Sequence, residues 1–393
     1  MINSEITAND NAGGMIGRYT GIDASNYFSS CKVDNCDITT TTEGEAAGGA
    51  FGYLDAGGTD ISSFGITVED NVVKTTAGRA GVYAGLINAN DKNTSVNCDL
   101  VYVSTGNHVY GKDCAAVGAV TNVDLLNLDV DKSITFKSNN SNNYAGVAGY
   151  AYASSFYNCD YHGDIYAPHT DADVWANLGG IIGYADGCSL NLCWNYGYEI
   201  CVSQSGDGFA YTDYKTRNGG IIGQSANYVH IAGTNNSSRV LSGRHSGGIV
   251  GFANSPTSGS TIETSTNQGR IVAYNYHPDD ATYRNEPIYV GGIVGDVSGT
   301  MTVSRCTNSG NIAGRYVHTS YVKGSMIKTD SSGWANQWSN GLTKESYDNY
   351  GLDCHVGGIA GYWSGSGTMR DCNVTCSEVH SYVGPDKNNL NPG

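Results

Sequence analysis

Apolar residues along this chain come in short bursts bounded by Gly, Ser, Asn, Asp or Thr, and no stretch carries the i, i+3, i+4 spacing of an amphipathic helix. The unit is clearest at GGIVGF from Gly247, STIET from Ser260 and GRIVAY from Gly269. These are three short segments rich in β-branched residues and separated by turn formers, and they read as three strands. The first phrase returns as GGIIGY from Gly179, GGIIGQ from Gly219, GGIVGD from Gly291 and GGIAGY from Gly357. With the second residue of each pair, or its nearest equivalent, as a marker, the series is Gly14, Gly49, Gly85, Gly118, Gly146, Gly180, Gly220, Gly248, Gly292 and Gly358, with YAGLIN and AVGAVT as degenerate members. The shortest interval is 28 residues, and longer intervals are that core plus an insertion.

Helical repeats of similar period need long runs of Ala, Leu, Glu and Lys, whereas here glycines and β-branched residues interrupt every few positions. The pattern predicts an all-β fold: a single parallel β-solenoid, or β-helix, over residues 1–393, with about ten coils of three short strands, equivalent strands pairing about 4.8 Å apart. The glycine pair is expected to permit a tight or left-handed corner and a close approach between stacked strands.

A second phrase runs aliphatic, two residues, Cys, three residues, Gly, one residue, Ile, as in Val303, Cys306, Gly310 and Ile312. Phe156, Cys159, Gly163 and Ile165 repeat it, and Ile262, Ser265, Gly269 and Ile271 repeat it with Ser for Cys. Cys31, Cys193 and Cys372 close one residue later, at Ile38, Ile200 and Val379, and Cys98 fits more loosely. A spacing of three breaks strand alternation, so a bend or bulge is expected there, followed by a ladder of interior Cys that act as small hydrophobes. Cys114, Cys188, Cys201 and Cys354 fall outside the ladder and are the candidates for disulfides, with connectivity open. Cys31 with Cys36, and Cys372 with Cys376, have half-site spacing, but interior ladder positions explain them more simply.

Composition narrows the class. The chain has 54 Gly, 28 Tyr, 6 Pro and only 15% charged residues, which excludes a disordered chain, and the glycines lack the period of collagen. With 21 basic and 37 acidic side chains the formal charge is −16, which argues against nucleic acid or anionic lipid as a partner. No run of 18 apolar residues and no charged-then-apolar leader follows Met1, so neither a spanning helix nor a signal peptide is expected in this stretch, and no membrane insertion.

The longest insertions fall at one place, after the third strand and before the next glycine pair: residues 167–177, 203–218, 275–289 and the long segment 315–355. Equivalent positions of a solenoid stack on one face, so these segments are expected to share a surface. They carry aromatic residues among Asp, Asn and Arg, and the candidate ligand-binding set is Trp175, Tyr211, Tyr214, Tyr276, Tyr283, Trp334 and Trp338, with Tyr289, Tyr347 and Tyr350 nearby. Such rings suit stacking on sugars or anchoring a protein partner, and they equally suit packing the insertions onto the body.

His169, Asp171 and Asp173 in HTDAD, and Asp279 with Asp280 in HPDD, are candidate calcium ligands, although solvated loop acids are commoner and no cofactor is expected. The nine His form no HExxH. No catalytic signature stands out, so the expectation is a protein that is not an enzyme, with a solenoid polysaccharide lyase or hydrolase as the enzymatic alternative. Asn93, Asn139, Asn235, Asn236 and Asn373 match the glycosylation pattern.

The glycine phrases resemble the GLUG-motif repeats of bacterial cell-surface and secreted proteins, on GGIIGY at Gly179, GGIIGQ at Gly219, GGIVGF at Gly247, GGIVGD at Gly291, GGIAGY at Gly357, AGGMIG at Ala12 and AGGAFG at Ala47. The resemblance implies an extracellular or surface-displayed, adhesin-like solenoid whose partner is a glycan or host glycoprotein. It transfers no catalytic residues. A module cut from a longer surface protein is the expectation, against a stalk or fibre subunit that stacks on itself head to tail.

Overall fold

Strands at the same position of successive repeats lie side by side, and the pairings are parallel throughout the described residues. The computed structural model describes residues 1–21, 26–41, 46–76, 78–90, 93–99, 101–137, 142–168, 174–202, 215–277, 287–318 and 354–383, which form strands and turns without helix. None of the described residues forms a helix long and apolar enough to cross a membrane.

The pairing follows the sequence phrases in register. The aliphatic that precedes the Cys makes one line of buried side chains: Ile61, Val96, Leu125, Phe156, Leu190, Ile231, Ile262 and Val303, and Met369 continues it. The closing strand makes another, through Ile38, Val73, Val109 and Phe136, and then through Ile165, Ile200, Val240, Ile271 and Ile312. Burying a side chain of this size contributes roughly 1.5–3 kcal/mol, so these lines are the main attraction between repeats.

Register also corrects two markers. Leu86 pairs with Tyr53 and with Ala119, so Gly85 and Gly118 lie opposite Gly52, the lone glycine after the aliphatic pair. The pair position in those repeats is Gly81 with Val82 and Ala115 with Ala116. The lone glycine stands in every repeat because a Cβ on it would meet neighbouring backbone, at 2.4 Å for Gly52 and Gly361 and 2.8 Å for Gly149. Of the tight or left-handed corner expected at the pair, the left-handed form does not occur, since Gly180, Gly220, Gly248 and Gly292 do not have positive φ, while the expected close approach does, a Cβ on Gly220 lying 2.1 Å from Gly248 O.

Repeats also contain more strands than the three expected. The repeat from Asn143 has Asn143–Ala145, Ala148–Tyr152, Ser155–Tyr157, Asp160–Tyr161 and Ile165–Ala167, because both phrases break at a corner. In the second phrase the break is a left-handed residue just before the Cys: Ser30, Asn158, Leu192, Arg305 and Asp371 lie between φ 52 and φ 54. The expected bend is therefore one residue long, and the Cys then turns inward. Cys98, Cys159, Cys193 and Cys306 are fully buried and Cys31 and Cys372 half-buried, with Leu128, Thr234 and Ser265 in the same line. The thiols tie one repeat to the previous one, Cys159 Sγ donating to Leu125 O at 3.5 Å and Cys306 Sγ to Ile262 O at 3.5 Å. Burial pushes the Cys306 thiol up to about 11. None of the twelve Cys is in a disulfide, Cys114, Cys188, Cys201 and Cys354 included, so none of the candidate disulfides forms.

Two residues beyond this ladder runs one that the phrases did not reveal. Asn195, Asn236, Asn267 and Asn308 are fully buried, and each amide donates to the next: 3.0, 2.8 and 2.7 Å. Asn236, Asn267 and Asn308 also donate to Ser238 O, Gly269 O and Gly310 O at 3.0, 2.8 and 3.0 Å, so buried polar groups are matched rather than stranded. The second glycine of each pair makes the space: a Cβ on Gly220 would lie 2.2 Å from Asn236 Cγ, and one on Gly248 2.3 Å from Asn267 Cγ.

Candidate functional site

On the outer side of the glycine corner two rows of side chains run across the repeats. One comes from the position three residues before the marker: Arg79, Asp113, Asn143, Asn177, Arg217, His245, Tyr289 and His355. The other follows the lone glycine: Tyr53, Leu86, Ala119, Tyr150, Tyr184, Gln224, Phe252, Asp296 and Tyr362. Without a side chain on that glycine, the two strands fold toward each other and the rows meet. His245 touches Phe252 with ring centroids 5.2 Å apart, and Tyr289 touches Tyr362 at 4.8 Å. The result is a groove lined by aromatic rings, amides and charges.

One part of the groove forms a pocket of about 430 Å³ lined by Arg79, Lys112, Asp113, Asn142, Asn143, Tyr150, Trp175, Asn177 and Tyr184. Tyr150 and Tyr184 stack 5.6 Å apart and nearly parallel, at 7°. Asn177 donates to Asn143 Oδ1 at 2.8 Å and Asn143 donates to Asp113 Oδ1 at 2.6 Å, a relay that fixes the carboxyl. Burial raises the Asp113 carboxyl above the usual range against the pull of Asn143, Arg79 and Lys112. Burial, then Asp186, pushes the Tyr150 hydroxyl up to about 12, so it stays protonated and serves as a hydrogen-bond donor.

Trp175 closes one side of the pocket. The Arg217 guanidinium lies 4.0 Å from its ring centroid, and the same guanidinium sits 4.8 Å from Phe252 and donates to Gln224 Oε1 at 2.5 Å. Burial lowers Arg217 to about 10, which leaves it cationic at neutral pH. His245 packs on the indole at 5.1 Å and faces Asp296 Oδ2 at 3.3 Å, and its pKa is lowered by burial against the attraction of Asp296.

Of the predicted ligand-binding residues, the structure brings Trp175 into the groove, with Tyr289 farther along it. Tyr211, Tyr214, Tyr283, Trp334 and Trp338 lie outside the described residues, as do Tyr347, Tyr350, His169, Asp171, Asp173, Asp279 and Asp280 and the side chain of Tyr276. The insertions do leave and rejoin at stacked positions. They follow Ile165–Ala167, Glu199–Val202, Ile271–His277 and Ile312–His318, and precede Ala176–Gly179, Thr216–Gly219, Ile288–Gly291 and Cys354–Gly357.

Sequence reasoning missed Arg79, Asp113, Tyr150, Tyr184 and Arg217. For Tyr150 and Tyr184 the signal is their place directly after the lone glycine, as Tyr in GGIIGY. Among the described residues, one further group has metal-binding spacing, the exposed Asp129, Asp131 and His162, with His162 Nε2 3.3 Å from Asp129 Oδ1. No family model, curated protein or solved structure matches the chain.

Proposed function

We propose that the chain is a ten-coil parallel β-solenoid displayed outside the cell, and that it works as an adhesin-type binding module whose groove takes a glycan or the glycan of a glycoprotein. The observation that carries this reading is the Trp175 indole, half-buried at the pocket wall and backed by the Arg217 guanidinium at 4.0 Å. A flat ring held rigid beside amides and hydroxyls is what stacking on a pyranose face requires, with polar neighbours to meet its hydroxyls. In-register lines of side chains along the groove suit an extended, repeating ligand. The resemblance of the glycine phrases to GLUG-motif repeats supports surface display and a bacterial origin.

A glycan array with mucin and immunoglobulin spots, probed with the chain and with Trp175→Ala, tests the proposal. Selective binding that the variant loses while keeping its melting temperature is the expected result. Absence of binding by the unmodified chain would turn the reading toward a stalk or self-associating fibre.

A further inference from the structure

We infer that a second surface, on a different sheet from the groove, docks a basic segment of a partner protein, with Leu192, Trp194 and Tyr196 under the stems of its Arg or Lys side chains and Asp129, Asp131 and Asp160 beside their charges. The stretch LCWNYGYE alternates: Cys193, Asn195, Gly197 and Glu199 are buried, while Leu192, Trp194, Tyr196 and Tyr198 are exposed, from 38% for Tyr196 to 64% for Tyr198. Neighbouring repeats are polar at these places. In register with Trp194 stand Asp129 and Asp160 on one side and Asn235, Thr266 and Thr307 on the other. Beyond the paired Asn, where this repeat has Tyr196, the later repeats have Ser237, Gln268 and Ser309. The fold therefore requires no ring at either place, and large apolar side chains gathered on a surface mark a site of association.

The rings are held in place before any partner arrives. The Trp194 indole N–H donates to Gly233 O at 3.3 Å, and its backbone N–H donates to Asp160 Oδ1 at 2.9 Å. Tyr196 lies between the stacked His162 ring at 4.7 Å and the edge of Trp194 at 5.6 Å. Among the described residues no Lys or Arg forms an ion pair with Asp129, Asp131 or Asp160, and His162 Nε2, 3.3 Å from Asp129 Oδ1, is their basic neighbour. The chain itself shows how a cation uses such a surface: the Arg239 guanidinium lies 5.1 Å from the Tyr198 ring centroid and pairs with Glu199. Trp194 and Tyr196, with Asp160 and Asp129 alongside, offer the same combination of ring and carboxylate to a cation from outside. Arg and Lys stems cover apolar surface while their heads stay with the acids, and a net charge of −16 draws a basic partner toward the chain.

The test is titration of the full chain, labelled with nitrogen-15, with a peptide of Arg spaced by Gly and Ser, and with the same peptide carrying citrulline, the uncharged analogue of Arg. The arginine peptide should bind at least about tenfold tighter, lose that lead as salt is added, and shift the Trp194 indole signal while the Trp175 signal stays still. Trp194→Ala should remove most of the binding. Asp160→Asn, which keeps an acceptor for the Trp194 N–H and drops the charge, should remove most of the preference for Arg. Asp131→Asn, on an exposed side chain, repeats the charge test should either variant fail to fold. Equal affinity for the two peptides, undiminished binding by Trp194→Ala, or no binding by the folded chain overturns the inference. Loss of binding on adding EDTA overturns it in favour of a metal ion at Asp129, Asp131 and His162. A Trp194 shift given by a neutral oligosaccharide and not by the arginine peptide overturns it in favour of a second glycan site.

Discussion

The repeats from Gly179 to Gly291 and the repeats before them use the same corner but fill it differently. In the later set, GGIIG, GGIIG, GGIVG and GGIVG each cover a buried Asn: Gly180 over Asn195, Gly220 over Asn236, Gly248 over Asn267 and Gly292 over Asn308. In the earlier set the second glycine covers Val33, Val68 or Tyr161, or is replaced by Val82 and Ala116. The contrast separates two roles that one phrase had merged. The lone glycine lies close chiefly to backbone and stands in both sets, while the second glycine lies close both to a carbonyl oxygen of the next repeat and to a side chain beneath it, and gives way to Val82 and Ala116 in two repeats.

Substituting the two glycine-corner types is the strongest way to break this comparison. Gly220→Val would drive its side chain into Asn236 and the carbonyl of Gly248, and should cost about 3 kcal/mol or more, read as a fall in the denaturation midpoint. Ala116→Gly, at the same corner in the earlier set, should cost only about 1 kcal/mol. A neutral or stabilising Ala116→Gly would mean that the corner itself, and not the residue beneath it, requires glycine.

Asn267→Ala is the next largest. It removes the acceptor for Asn236 Nδ2 and the donor to Asn308 Oδ1 and Gly269 O, all buried, so a loss of about 2 kcal/mol is expected in chemical denaturation. A change near zero would show that the ladder is incidental to stability.

The later set also carries a pH dependence. His245 is held neutral by burial, with Asp296 opposing and Arg217 and Arg244 assisting, so its folded pKa lies below 6.5. Between that value and 6.5 the unfolded chain binds more protons than the folded one, so stability rises with pH across the window and is lost on acidification. Melting temperature measured against pH should fall below about 6.5 and flatten in His245→Phe. A melting temperature that rises on acidification through this window would reverse the assignment.

The smallest effect on stability is expected from Trp175→Ala. Its ring lies at the groove wall and not in the interior, so the cost should stay within about 1 kcal/mol by thermal melting while glycan binding disappears.

Strand content, parallel pairing and the interior Cys line were legible because they rest on spacing along the chain, which Val303, Cys306 and Ile312 state directly. The Asn ladder was harder. Asn is common in turns, and nothing local distinguishes Asn267, buried, from Asn158, in the left-handed corner. The groove was hidden for another reason: Arg79, Asp113 and Tyr150 lie 34 and 37 residues apart in sequence, and only the register of pairing makes them neighbours. Trp175 was found because it ends an insertion, which composition marks.

Indole NMR on the chain, labelled with nitrogen-15 and titrated with the bound oligosaccharide, tests the central claim most directly. Five tryptophans give five indole signals, Trp175, Trp194, Trp334, Trp338 and Trp363, each assigned by its Trp→Phe variant. A saturable shift of the Trp175 signal, with Trp334 and Trp338 unmoved, is the predicted result. Shifts at Trp334 or Trp338 with Trp175 stationary would contradict it and place the ligand on the long insertion instead of in the groove.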